Sequence, residues 1–244
     1  MANIDITKPL LECLKQFKGA PEGDKGTRQK ALEEDFVLLA KKLLYGGYLM
    51  VGNYRIDIEL VELYYHEENK DMENGIYDYI VYHRNGRYPG KPVPPFPIMS
   101  LHAHTSGYDI TFEDPDGKYR ASALIRAFTA KDINTGMYIK WNAKDKGEGY
   151  YEPLNEEFCD NRSQYLYFYL NGFQIDGNGN QILWKPTTDN VNYDTCPLFR
   201  GRRKNVYKDK DKKELDPRKW AFSKYKVSFK HENKDLEEFE LLPA

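Results

Sequence analysis

The chain has 244 residues, 40% hydrophobic and 30% charged, a balance that excludes a disordered polymer and allows a sizeable buried core. A net charge of −2 gives no overall attraction to nucleic acid, and no apolar run is long enough to span a bilayer. Cys13, Cys159 and Cys196 are few and widely spaced, which speaks against a disulfide framework or a zinc spacing. They point to a reducing compartment, so a cytoplasmic location is expected. The first residues lack a basic start, an apolar core and a cleavage site, so no secretion signal is expected.

Residues 1–18 carry Leu10, Leu11, Leu14 and Phe17 in a helical pattern, and residues 19–30 read as a loop from their Gly, Pro and charge. From Ala31 onward Phe36, Leu39, Ala40, Leu43 and Leu44 recur at three-and-four spacing. This predicts an amphipathic helix ended by Gly46 and Gly47. Tyr48 to Val51 reads as a strand, Gly52–Asn53 as a turn, and Arg55 to Tyr65 as the partner strand of a hairpin. In strict alternation Ile56, Ile58, Leu60, Glu62 and Tyr64 share one face. Glu62 is then a carboxylate among aliphatic residues, so it needs either a partner or a chemical task.

Residues 66–78 form an acidic loop, and the prolines between residues 89 and 97 favour an extended path. Leu101 to Glu113 alternates, with His102, His104, Ser106 and Tyr108 on one face unless Gly107 resets the register. Tyr119 to Thr129 is apolar enough for a central strand, so these two segments and Arg55–Tyr65 are expected as antiparallel neighbours. The run from Ser163 to Phe173 suits a helix or a strand. From Arg200 to Lys230 basic residues dominate, ending in a stretch from Trp220 that alternates as a strand. The acidic residues 231–244 are expected to fray. The fold class expected is α+β: a curved, mostly antiparallel sheet flanked by helices. Residues 1–30 form an N-terminal helix and loop, 31–230 the main domain, and 231–244 the acidic tail.

No phosphate loop, dinucleotide fingerprint, HExxH or GxSxG occurs. His102 and His104, alternate on a strand and followed by Asp109, could ligate a metal or be ordinary polar and packed histidines. Glu62, Tyr64 and His83 supply a carboxylate, an aromatic ring and an imidazole. Those parts suit hydrolysis of an N-glycosidic bond, one to activate water and two to stack on an extruded base.

The order of segments over roughly residues 31–226 resembles the alkyladenine (methylpurine) DNA glycosylase family. DFVLLAKKLLYGGYL is similar to that family's opening helix and strand. IELVELYY resembles its Glu-x-Glu-Ala-Tyr strand, YHRNGR its pocket-histidine segment, and ALIRAF its Leu-Ile-Arg-Ala strand. The segment from Phe158 to Asn171 and the closing RRKN…PRKWAF look like its later helix and its arginine-rich ending. The family's Tyr-Gly-Met strand is replaced by HAHTSGYDITF, with Ser106 where a wedge tyrosine is expected, and Glu59 is displaced by one position.

The resemblance implies a methylpurine-glycosylase-like fold and a monofunctional glycosylase that needs no cofactor or metal. It is expected to act as a monomer, with DNA and no membrane as partner. Glu62 would activate water, while Tyr64, His83, His102, His104, Asp109 and Arg126 would line the base pocket. Arg202, Arg203, Lys204 and Lys219 would meet phosphates. Two alternatives stay open: a noncatalytic binder of a nucleobase, nucleic acid or protein on the same fold, and a metal-dependent hydrolase using His102, His104 and Asp109.

Overall fold

The computed structural model describes residues 3–68, 73–87, 90–104, 107–141, 151–153, 182–188, 190–208, 214–232 and 235–243. The segment from Phe158 to Asn171, Cys159 and Ser106 lie outside the described residues. Two helices, α1 (Leu10–Gln16) and α2 (Lys25–Tyr45), precede a long run of strands. These are β1 (Gly47–Val51), β2 (Tyr54–Glu67), β3 (Leu101–His104), β4 (Gly107–Thr111), β5 (Tyr119–Asp132), β6 (Tyr138–Trp141), β7 (Tyr151–Pro153) and β8 (Ile182–Pro186). Then follow β9 (Phe199–Gly201), β10 (Ala221–Ser223), β11 (Ser228–Lys230), β12 (Leu236–Glu238) and β13 (Glu240–Leu241).

The fold is α+β, with one large antiparallel sheet running β13-β9-β10-β2-β5-β4-β3 along its main path. β1 leaves that path by pairing with both β2 and β8, and the hairpin from β5 to β6 extends to β7. β11 and β12 pair separately. Helix α2 lies on β2, β1 and β10. It starts six residues earlier than its apolar pattern indicates, because the Asp24 carboxylate accepts the Thr27 N–H at 3.1 Å and the Thr27 hydroxyl at 2.6 Å. At its far end the Gly46 N–H donates to the Lys42 carbonyl.

The core lies between the helices and the sheet. Phe36, Leu39 and Leu43 of α2 meet Ile56, Ile58, Val61, Leu63 and Tyr65 of β2, all essentially inaccessible. Each such side chain stabilises the fold by roughly 1.5–3 kcal/mol. Leu10, Cys13 and Leu14 of α1, with Phe17 just beyond it, belong to the same core, so the N-terminal segment is not a separate unit. The Phe17 ring meets Phe36 at 6.1 Å and Phe112 at 5.0 Å between centroids.

Four expectations change. β2 does not keep a single alternation, because the register with β5 shifts at Ile58/Leu60 and again at Leu60/Val61. Ile56 and Ile58 therefore share the core with Val61, Leu63 and Tyr65, while Leu60 belongs to a second cluster with Ala127, Ala221 and Phe239. Leu101–Glu113 is not one strand but a hairpin, β3 against β4, that sets His102 opposite Asp109. The stretch from Trp220 also divides, into β10 and β11 in different sheets.

The acidic tail, finally, does not fray. β13 pairs with β9, β12 with β11, and Phe239 between them is 2% exposed. Gly201 makes this possible, since a Cβ there would run into the Phe239 ring.

Candidate active site around Glu62

The two register shifts in β2 decide the site. They place Glu62 and Tyr64 on the face away from the helices, which removes the anomaly of a carboxylate among aliphatic side chains. In β5 the matching irregularity falls at Arg126, which the pairing skips between Ile125 and Ala127. Arg126 follows Ser122 and Leu124 on the same face as Glu62, and the irregularity adds Ala127 to that face beside Leu60. Bulges of this kind re-aim side chains and are frequent beside functional sites.

Glu62 lies in the wall of a cavity of about 290 Å3 and is itself 0% exposed. Tyr64, His83, Asp109, Arg126 and Lys204 line the same cavity, although they come from β2, β4, β5 and the segments after residues 78 and 201. The structure thus brings six of the residues singled out in the sequence to one place.

The Glu62 carboxylate is held at both oxygens. Oε1 accepts the Lys204 backbone N–H at 2.8 Å and lies 3.4 Å from Arg126 Nε. Oε2 accepts the Tyr64 hydroxyl at 2.8 Å. Burial and the adjoining Glu62 carboxylate raise the Tyr64 pKa well above that of a free phenol, so the hydroxyl remains a donor. A carboxylate offers about four acceptor positions; the two hydrogen bonds use one on each oxygen, Arg126 lies beside Oε1, and a second position on Oε2 stays open.

Beneath Tyr64 lies Arg203, its guanidinium carbon 4.6 Å from the ring centroid. Arg203 was expected at a phosphate, but it is 1% exposed. It pairs with Asp78 and, at 3.0 Å, with Asp216. Burial alone would lower its pKa; the two aspartates outweigh that and raise it. Arg203 therefore supports one face of Tyr64, and a flat ligand can stack only on the other.

His83 is 3% exposed, with Nδ1 facing the buried Glu113 carboxylate, which Arg120 holds at 2.8 Å. Its Nε2 has no hydrogen-bond partner among the described residues. The His83 ring meets Phe96 and His102 edge-on, with centroids 5.4 and 5.6 Å away. His102 packs behind His83 and does not line the cavity, so it is not the wall that was expected. The side chain of His104 lies outside the described residues. Among the described residues no group of three or more His, Cys, Asp or Glu could hold a metal.

No family model matches the chain, and no curated protein or solved structure matches it either.

Several lining residues escaped the sequence reading, Asn205 and Glu232 above all. Asn205 has φ +58°, a conformation that asparagine tolerates better than most residues. Its backbone N–H donates to His231 Nδ1, and its side-chain oxygen accepts the Glu232 N–H at 2.8 Å. An asparagine directly after a basic cluster was the one available signal. Glu232 carried none, because it reaches the site only through the returning tail.

The basic segment also differs from expectation. Arg202 pairs with Glu237, Lys219 and Arg200 with Glu240, and Arg218 with Asp216. Lys204 acts on Glu62 through its backbone. Intramolecular carboxylates thus occupy much of the charge that was expected to meet phosphates. No helix among the described residues is long and apolar enough to cross a membrane.

Proposed function

We propose that the protein is an N-glycoside hydrolase of the DNA glycosylase type, acting on a modified purine turned out of its stack. The observation that carries this reading is the Glu62 carboxylate at a cavity wall, fixed by two hydrogen bonds and the Arg126 ion pair, with an acceptor position open on Oε2. A water on that position is oriented for attack on an anomeric carbon. The free face of Tyr64 supplies a stacking surface for the base, and the unpartnered His83 Nε2 a hydrogen-bond donor or acceptor for its edge. At about 290 Å3 the cavity is near the lower bound of small-molecule sites, in keeping with a single base and part of its sugar. The collinear resemblance to methylpurine glycosylases supports the same reading.

Departure of the base leaves positive charge on the sugar, and a carboxylate at that position stabilises it. Arg126 beside Oε1 fixes the carboxylate's orientation. The resemblance to a monofunctional family carries the expectation of hydrolysis without strand cleavage.

The pocket also suits a noncatalytic nucleobase binder. The intramolecular pairing of Arg200, Arg202 and Lys219 favours that second reading, because it removes charge a DNA enzyme would use. Incubation with alkylated and deaminated DNA, single-stranded and duplex, separates the two. The hydrolase releases free base and leaves an intact abasic strand; a binder retains the oligonucleotide and releases nothing.

A further inference from the structure

The loop from Asp78 to Arg87 is the least explained part of the surface. Asp78 is 2% exposed and anchored to Arg203, and its N–H donates to His66 Nδ1 at 3.1 Å. Farther on, the Asn85 N–H donates to Glu68 at 2.8 Å. Between these anchors Val81 and His83 are buried at 3% each, whereas Tyr79, Ile80 and Tyr82 are 45%, 37% and 36% exposed. Single exposed apolar residues are ordinary. Three within four positions, on a loop fixed by buried polar contacts, form a preorganised ridge.

Two features give this ridge a partner. Ile80 and Tyr82 line the Glu62 cavity, so the ridge is part of its rim. The Arg84 guanidinium lies 5.7 Å from the Tyr79 ring centroid and that of Arg87 5.1 Å from the Tyr82 ring, and neither meets a carboxylate among the described residues. This is the reverse of the Arg200–Lys219 face, where the cations are paired. Guanidinium groups that stack on exposed rings still present N–H groups to phosphate.

We propose that Tyr79, Ile80 and Tyr82, with Arg84 and Arg87, form the docking ridge for an unpaired stretch of DNA whose nucleotide enters the cavity. Bases flanking that nucleotide stack on Tyr79 and Tyr82. Ile80 fills the space that the displaced base vacates, and the two arginines contact phosphates on either side. The proposal rests on the reading of the cavity as a nucleobase site, but not on its chemistry.

The test is binding of fluorescent single-stranded oligonucleotides by anisotropy, in Glu62→Gln protein so that no turnover intervenes. Tyr79→Ala combined with Tyr82→Ala is expected to weaken binding about tenfold or more. Arg84→Ser combined with Arg87→Ser is expected to reduce the log–log salt slope by roughly 1.4, as two phosphate contacts on a single strand require. Lys219→Ala, on the face the sequence indicated, should bind within about twofold of the parent, as an ion-paired surface lysine does.

Tyr79, Tyr82 and Arg87 are exposed and, among the described residues, Arg84 hydrogen-bonds only to carbonyls of its own loop, so all variants should melt within a few degrees of the parent. Ridge variants that bind as the parent does, a greater loss from Lys219→Ala, or a parent that binds no oligonucleotide would each overturn the proposal. Binding through the ridge without base release by the wild type would remove the hydrolase and leave the ridge standing. Base release with binding indifferent to the ridge would do the opposite.

Discussion

Arg203 links the support of the site to the stability of the chain. It is buried between Asp78 and Asp216 and lies under the Tyr64 ring. Burial pushes the Asp216 pKa up, but hydrogen bonds from Arg218 and the charge of Arg203 hold it below the usual carboxylate range. Arg203→Met would leave two buried carboxylates short of a partner and should cost about 3–5 kcal/mol in chemical denaturation. A loss within the ~0.5 kcal/mol of an ordinary surface change would contradict this placement.

Asp35 is the opposite case. It sits half-buried on α2, its Oδ1 has no partner among the described residues, and burial with help from Glu34 raises its pKa to about 6. Its ordinary value is 3.8, so above pH 6 the folded chain bears the cost of a desolvated charge. As pH falls from 6 toward 3.8 the folded state takes up a proton that the unfolded chain does not, and that cost disappears. Asp35→Asn should therefore melt above the wild type at pH 8, with the gap closing by pH 4. An equal gap at both values would show that Asp35 is not desolvated.

Between residue and molecule, the elements show where sequence reasoning ran out. The apolar stripe of α2 was legible because helical periodicity is local, and all five of its named residues are buried. Its true start depended on a cap, Asp24 to Thr27, that lay in a stretch read as loop. The strand that carries Glu62 was legible as a strand but not in its facing. A bulge at Glu59 is stabilised by Lys224 and Thr129, residues far away in the chain, and no alternation pattern announces it.

The tail was misread for a related reason. Charge density suggested fraying, while the single aromatic at Phe239 did the anchoring. Phe239→Ala should cost about 3–5 kcal/mol, as for any fully buried phenylalanine. A frayed tail would show no change, so equilibrium unfolding of this one variant decides the point.

At the scale of the whole molecule, residue types were readable and their assembly was not. Glu62, Tyr64, His83 and Arg126 stood out as carboxylate, aromatic, imidazole and cation, and the structure gathers them around one cavity. Lys204, Asn205 and Glu232 reach it from the other end of the chain, through strand pairings that only the complete sheet defines. The same closure pairs the basic segment with the acidic tail and leaves the Tyr79–Arg87 loop as the cationic, aromatic rim.

The proposed chemistry turns on Glu62 as the group that orients water. Glutamine fits there, since its oxygen can face Lys204 and Arg126 while its amide donates to Tyr64. The most direct measurement is single-turnover release of free base from modified DNA by the wild type and by Glu62→Gln, with melting temperatures taken alongside. The expected result is release by the wild type and a rate about 10²–10⁴-fold lower in a variant that melts normally. No free base from the wild type, or release unaffected by the substitution, would contradict the assignment.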